Sequence, residues 1–196
     1  DVSSFPDFPA EIRAPAGTIA GLSGFQVNFA SKELFTAGDA PQVLVAMNPA
    51  ALKANLEDLE EGGLIIVNTD AFPRNNLRKA GYDRNPLEDG GIRGYEVHEV
   101  PLTSLNRTAL ADLEGLSNQQ KDLSKNAFAL GLTYWIFDRP LDTTITFIEK
   151  KFARKPEVVE ANTRALKAGY YYGENTEVFS SRVRVLQREA VEPGTY

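Results

Sequence analysis

Two short apolar runs, at residues 42–47 and 64–68, flank a segment in which Ala51, Leu52, Leu56 and Leu59 recur at helical spacing. Asn48 is placed to cap that helix, and Pro49 to occupy its first turn, where a missing N–H costs nothing. Gly62 and Gly63 end the run. The pattern over residues 42–70 therefore predicts strand, helix, strand, with the two strands parallel and the crossover right-handed. Residues 25–29 alternate apolar and polar like a half-exposed strand, and 32–35 read as a short antiparallel partner. The proline-bearing lead-in 1–16 reads as extended chain. Residues 95–100 alternate cleanly and predict a strand with one face in the core, closed by residues 101–104.

The rest of the chain has helical period. A short helix ends at Gly81, and another covers 108–113 and stops at Gly115. Ser117 caps a long helix through Phe137, with Leu123, Ala127, Leu130, Tyr134 and Phe137 as its apolar side. Residues 141–152 repeat the period through Ile145, Ile148 and Phe152, and 156–171 through Val159, Thr163, Leu166 and Tyr170. A strand at 183–186 completes the reading. The order of elements predicts an α/β fold: a three-layer domain with a mixed, largely parallel sheet flanked by helices and a C-terminal helical group.

Composition narrows the chemistry. At 196 residues the chain suits one well-buried domain, and 42% hydrophobic with 24% charged residues is ordinary for a globular protein. No apolar run approaches the roughly 20 residues a membrane span needs, so neither membrane insertion nor a secretory route is expected, and the cytoplasm is the expected location. A net charge of −6 argues against a dedicated nucleic-acid binder. Cysteine is absent, which removes thiolate nucleophiles and any iron–sulfur cluster ligated from within these residues. His98 is the single histidine, so a histidine metal site or a Ser-His-Asp triad would rest on it alone. It reads better as a satisfied strand residue. The chain opens at Asp1, not Met, and residues 192–196 read as a linker, so a fragment of something longer is expected.

Ligands of parallel sheets collect at the carboxyl ends of the strands, here Asn48 with its neighbours and Asn68-Thr69-Asp70. The basic segment Arg74, Arg78, Lys79, Arg84 and Arg93 follows the second of these ends, where it could grip phosphates. The alternative is a solvated loop balanced by Asp83, Glu88 and Asp89. Lys150, Lys151, Arg154 and Lys155 sit at a predicted helix C-terminus and are read as complementing the macrodipole. Gly17, Gly21 and Gly24 do not form a GxGxxG fingerprint after a strand. Trp135 and Tyr170 to Tyr172 are read as packing aromatics. Asn126, a poor helix-interior residue, points either to a neighbouring element or to a partner domain.

Six stretches together resemble the gamma domain of 2-oxoacid:ferredoxin oxidoreductases, most closely the form fused at the N-terminus of the alpha subunit of the 2-oxoglutarate enzyme. They are FPAEIRAPAGT at 8–18, FQV at 25–27, GDAPQVLVAMNPAAL at 38–52, IIVNTD at 65–70, VPLT at 100–103 and SKNAFALG at 124–131. The family's domain opens with a strand and a glycine-rich GxGGQG turn leading into a helix, and neither is present. The expectation is therefore a gamma-type module over 1–190 lacking its first strand-turn-helix, with 191–196 as a link to a following domain.

The resemblance implies a parent enzyme that oxidatively decarboxylates a 2-oxoacid to its acyl-CoA and passes electrons to ferredoxin. Thiamine diphosphate, magnesium and the iron–sulfur clusters would belong to other parts: a thiamine diphosphate-binding beta subunit and the adjoining alpha domain. The module itself would carry no catalytic residue and no cofactor of its own, with coenzyme A as a substrate at its edge. Arg13, Arg74, Arg78 and Lys79 would then attract the coenzyme's phosphates, while Asn48 and Thr69 line the strand-end edge. Two rivals stand beside this: a purely structural module of the same complex, and an independent α/β enzyme that binds a nucleotide or sugar phosphate.

Overall fold

The structure, a computed structural model, describes residues 2–7, 24–29 and 40–176 of the chain. The expected partner strand at 32–35, the expected strand at 183–186 and Arg13 all lie outside these residues.

Three parallel strands, β3 (Val43–Ala46), β4 (Leu64–Asn68) and β5 (Glu96–Val100), form a sheet in the order β3-β4-β5. Helix α1 (Pro49–Asn55) is the crossover between β3 and β4, and the Asn48 side chain accepts the Ala51 N–H at 2.8 Å as its cap. The helix stops at Asn55, short of the predicted run, and Leu56 and Leu59 continue packing from the loop. A separate antiparallel pair, β1 (Val2–Asp7) with β2 (Gly24–Phe29), places a strand where the sequence pattern suggested only extended chain.

β4 is the centre of the core. Successive strand side chains point to opposite faces, and both faces of β4 are covered. Ile65 and Val67 join Leu52, Phe72 and Leu77 under α1 and α2 (Arg74–Lys79). Ile66 joins Val100, Leu102, Phe128, Leu132 and Trp135 under the later helices. Those helices are α3 (Leu102–Ala109), α4 (Asn118–Leu123), α5 (Lys125–Ile136), α6 (Asp142–Lys151) and α7 (Pro156–Thr176). The result is the expected α/β arrangement of a parallel sheet flanked by helices.

Two helix boundaries differ from the pattern. The helix expected at 108–113 begins instead at Leu102, directly after Pro101. The long helix expected from Ser117 is divided at Ser124 into α4 and α5. The Ser124 hydroxyl donates to Lys121 O at 2.7 Å and lies 3.3 Å from Asn106 Oδ1, so a buried polar contact with α3 sits at the division. The inward side of α5 also differs: Phe128, Leu132, Trp135 and Ile136 are buried, whereas Leu123 and Leu130 face outward. Ser117 caps α4 with a full capping box, its hydroxyl on Gln120 N and the Gln120 side chain on Ser117 N.

Candidate functional site

At the carboxyl edge of the sheet the three strand ends are tied by one buried amide. Asn68 is fully buried, and its Nδ2 donates to Thr103 Oγ1 at 3.1 Å and reaches the Met47 carbonyl at 3.5 Å. Its Oδ1 accepts the Thr103 N–H at 3.4 Å. Pro101 offers α3 no side-chain cap, so the first-turn N–H groups must find acceptors elsewhere. Asn68 takes one, and the Asp70 carboxylate takes the next: Ser104 N at 2.7 Å and Ser104 Oγ at 2.9 Å. Asp70 is thus a cap supplied to α3 from the turn just after β4, and its charge suits a helix N-terminus. The sequence marks Asn68 and Asp70 as a strand end, but nothing local to it announces Thr103 or Ser104 as their partners.

Asn48 and Thr69 lie at the adjoining ends of β3 and β4, both half-buried. The Asn48 Oδ1 is committed to its cap. Arg74, Arg78 and Lys79 are all exposed on α2, which begins six residues after the last residue of β4. Arg74 and Arg78 are one helical turn apart and share a side of α2. Arg78 donates to Asn75 Oδ1 at 3.2 Å. Among the described residues none of these three cations has an acidic partner within ion-pair distance. Two of the three acids named as counter-charges are engaged locally: Asp89 accepts Gly91 N, and Glu88 accepts from Asn85.

The structure therefore brings Asn48 and Thr69 to one edge and gathers Arg74, Arg78 and Lys79 on the helix that follows it. Arg93 stands apart. It lines an open hollow with Glu61, Gly62 and Tyr95, residues that precede the strands and so mark the opposite, amino end of the sheet. His98 is buried in β5, with Nε2 2.9 Å from Glu96 Oε1, as a satisfied strand histidine. Next to the edge, Arg107 holds Asp122 with two short bonds, 2.7 and 2.6 Å, and its guanidinium is raised above its ordinary range chiefly by that hydrogen bond.

The chain has no cysteine, and among the described residues no group of three metal-ligating side chains converges. No helix among the described residues is long and apolar enough to cross a membrane. The edge itself offers the Asn48 amide and the Thr69 hydroxyl, and the exposed cations sit on the helix that follows β4.

A three-stranded parallel sheet sandwiched by helices, with a polar carboxyl edge, makes the described residues an α/β module. Residues 1–172 match the family described as "POR: Pyruvate ferredoxin/flavodoxin oxidoreductase", and the chain belongs to that family. Over all 196 residues it is 50% identical to the 2-oxoglutarate oxidoreductase subunit KorA of Mycobacterium tuberculosis, covering 30% of that protein. Its fold is similar to that of the 2-oxoglutarate:ferredoxin oxidoreductase of Magnetococcus marinus, a structure with 2-oxoglutarate, coenzyme A and succinyl-CoA bound. That likeness has a TM-score of 0.66 and 24% identity over 96% of this chain and 28% of that one. A keto/oxoacid ferredoxin oxidoreductase gamma subunit from Geobacter sulfurreducens is similar in fold at TM-score 0.53 and 14% identity, over 88% of this chain and 81% of that one. The chain thus spans under a third of the curated relative it matches.

Proposed function

We propose that the chain is the gamma-type module, over residues 1–190, of a 2-oxoglutarate:ferredoxin oxidoreductase, joined through 191–196 to a following domain and working in the cytoplasm. The parent enzyme converts 2-oxoglutarate and coenzyme A to succinyl-CoA and carbon dioxide, and two electrons pass to ferredoxin. Thiamine diphosphate, magnesium and the iron–sulfur clusters are held by the adjoining alpha domain and the beta subunit. This module packs against them and offers its carboxyl edge to coenzyme A.

The observation that carries the coenzyme role is the set of three exposed cations on α2, Arg74, Arg78 and Lys79, without acidic partners among the described residues. On a chain of net charge −6, such a cluster near the ligand edge of a parallel sheet is suited to phosphate groups. Arg13 joins the same role by the sequence resemblance alone. Asn48 and Thr69 border the edge, where an amide and a hydroxyl can bond a phosphate or the pantetheine arm.

The test is steady-state kinetics on the assembled enzyme. A charge-assisted hydrogen bond is worth about 1.5–3 kcal/mol, so Arg78→Ala and Arg74→Ala should each raise the coenzyme A KM by about tenfold or more. The 2-oxoglutarate KM should stay put. An unchanged coenzyme A KM in both variants, and in Arg13→Ala, overturns the coenzyme role and leaves a structural module.

A further inference from the structure

α2 carries the cations Arg74, Arg78 and Lys79, yet it is only six residues long and buries one side chain, Leu77. A helix so short does not hold its place by propensity. Its N-cap, Pro73, makes no side-chain bond. Its end is a Schellman motif: the Gly81 N–H donates to the Arg78 carbonyl and the Tyr82 N–H to the Leu77 carbonyl, both at 3.0 Å. Gly81 stands at φ 74°, as that ending requires. These bonds shape the ending but are internal to it. The side-chain hydrogen bond that reaches it from another element comes from Lys53, in the last turn of α1. The Lys53 ammonium donates to the Gly81 carbonyl and stands 5.0 Å from the centroid of the Tyr82 ring.

We propose that Lys53 is a positioning residue for the coenzyme, a latch that holds the cations of α2 in register with Asn48. Asn48 caps the start of α1 and Lys53 grips the end of α2, so α1 bridges the amide and the cations of the candidate site. A lysine in the last turn of α1 also suits the macrodipole. That effect needs neither an acceptor nor a ring, and Lys53 has both. The inference deepens the coenzyme reading and rests on it: Lys53 acts through Arg74, Arg78 and Lys79.

The experiment uses the assembled enzyme with Lys53→Met, Lys53→Arg and Tyr82→Leu, the last keeping the lysine charge but not the ring. Hydrogen exchange by mass spectrometry, without coenzyme, reads the latch directly. Lys53→Met and Tyr82→Leu should each speed exchange across 74–82 by about threefold or more, the worth of an exposed cation–π contact. Exchange across β5 should match the parent. The coenzyme A KM should rise by a similar factor in both variants, with kcat and the 2-oxoglutarate KM unchanged. Lys53→Arg, which keeps the cation and its donors, should restore exchange and KM. Unchanged exchange in Lys53→Met overturns the latch. So does a KM that rises in Lys53→Met but not in Tyr82→Leu, which would mean that the lysine charge attracts phosphate directly. The coenzyme reading fails by the kinetics of Arg74→Ala and Arg78→Ala, and the latch by exchange, so the two failures are told apart.

Discussion

Gly131 on α5 and Gly169 on α7 occupy reciprocal notches. A Cβ added at Gly131 would stand 1.9 Å from the Leu166 carbonyl oxygen, and one added at Gly169 would stand 1.9 Å from that of Phe128. One turn on, a Cβ at Gly173 would meet the Trp135 ring at 2.8 Å. The two helix backbones are in contact, and that contact sets how deeply α7 sits over the sheet. Helix propensity alone favours Gly→Ala by about 1 kcal/mol, whereas backbone overpacking typically costs about 1–3 kcal/mol. Here the obstacle is main chain, which cannot rotate aside, so the steric cost wins. Gly131→Ala and Gly169→Ala should each lower the melting temperature, and a rise in either would mean that the helices are further apart than described.

The Asn68 amide should behave as a clasp. Removing it strands the Thr103 N–H and hydroxyl and loosens the Met47 carbonyl at a fully buried position. Leaving buried groups unsatisfied costs about 1–3 kcal/mol. Asn68→Leu, similar in volume, should destabilise by that amount in chemical denaturation, and Thr103→Val by less, since the Thr103 N–H keeps its acceptor. Equal stability of Asn68→Leu and the parent would show that the amide contributes no net stability.

What the residue pattern reveals is what is local. The β3–α1–β4 unit is legible because Asn48, Pro49 and the leucine spacing each report on their own helix. Val2–Asp7 is hidden by Pro6, which lacks a donor and is tolerated only at an edge, here in a two-stranded pair. The division at Ser124 is hidden because its buried partner, Asn106, lies 18 residues away. On α5 two apolar sides compete, and the inward one is chosen by Gly131, whose lack of a side chain matters more than any hydropathy. Pro101 reads as the close of a strand because the acceptors that cap α3 come from Asn68 at the end of β4 and from Asp70 just beyond it. The site divides the same way: Asn48 and Thr69 are readable as strand ends and the cations by charge, whereas the Asn68–Thr103 and Asp70–Ser104 pairs are long-range.

Asn48 carries two assignments, helix cap and coenzyme edge, and substitution can separate them. Losing the cap by Asn48→Ala should cost about 1 kcal/mol, while Asp at the same position retains it. A carboxylate there would repel phosphates. Asn48→Asp should therefore keep the melting temperature of the parent while raising the coenzyme A KM in the assembled enzyme. An unchanged KM in Asn48→Asp would leave Asn48 as a cap and nothing more.

The Arg107–Asp122 pair gives the fold a pH signature. The hydrogen bond from Arg107, helped by its charge, holds the Asp122 carboxyl below the ordinary carboxylate range. A depressed carboxyl contributes stability only while the folded state keeps it ionised. That contribution is full above the unfolded value, about pH 4, and is lost as pH falls through the folded one. Arg107→Ala should accordingly be less stable than the parent at pH 7, with the gap closing below about pH 4 as Asp122 protonates in both proteins. Half of the Arg107 side chain is exposed, so added salt should also narrow the gap. Thermal melts of the two proteins at pH 7 and pH 3 decide the matter: a gap of the same size at both values would assign the loss to packing of the arginine stem rather than to the ion pair.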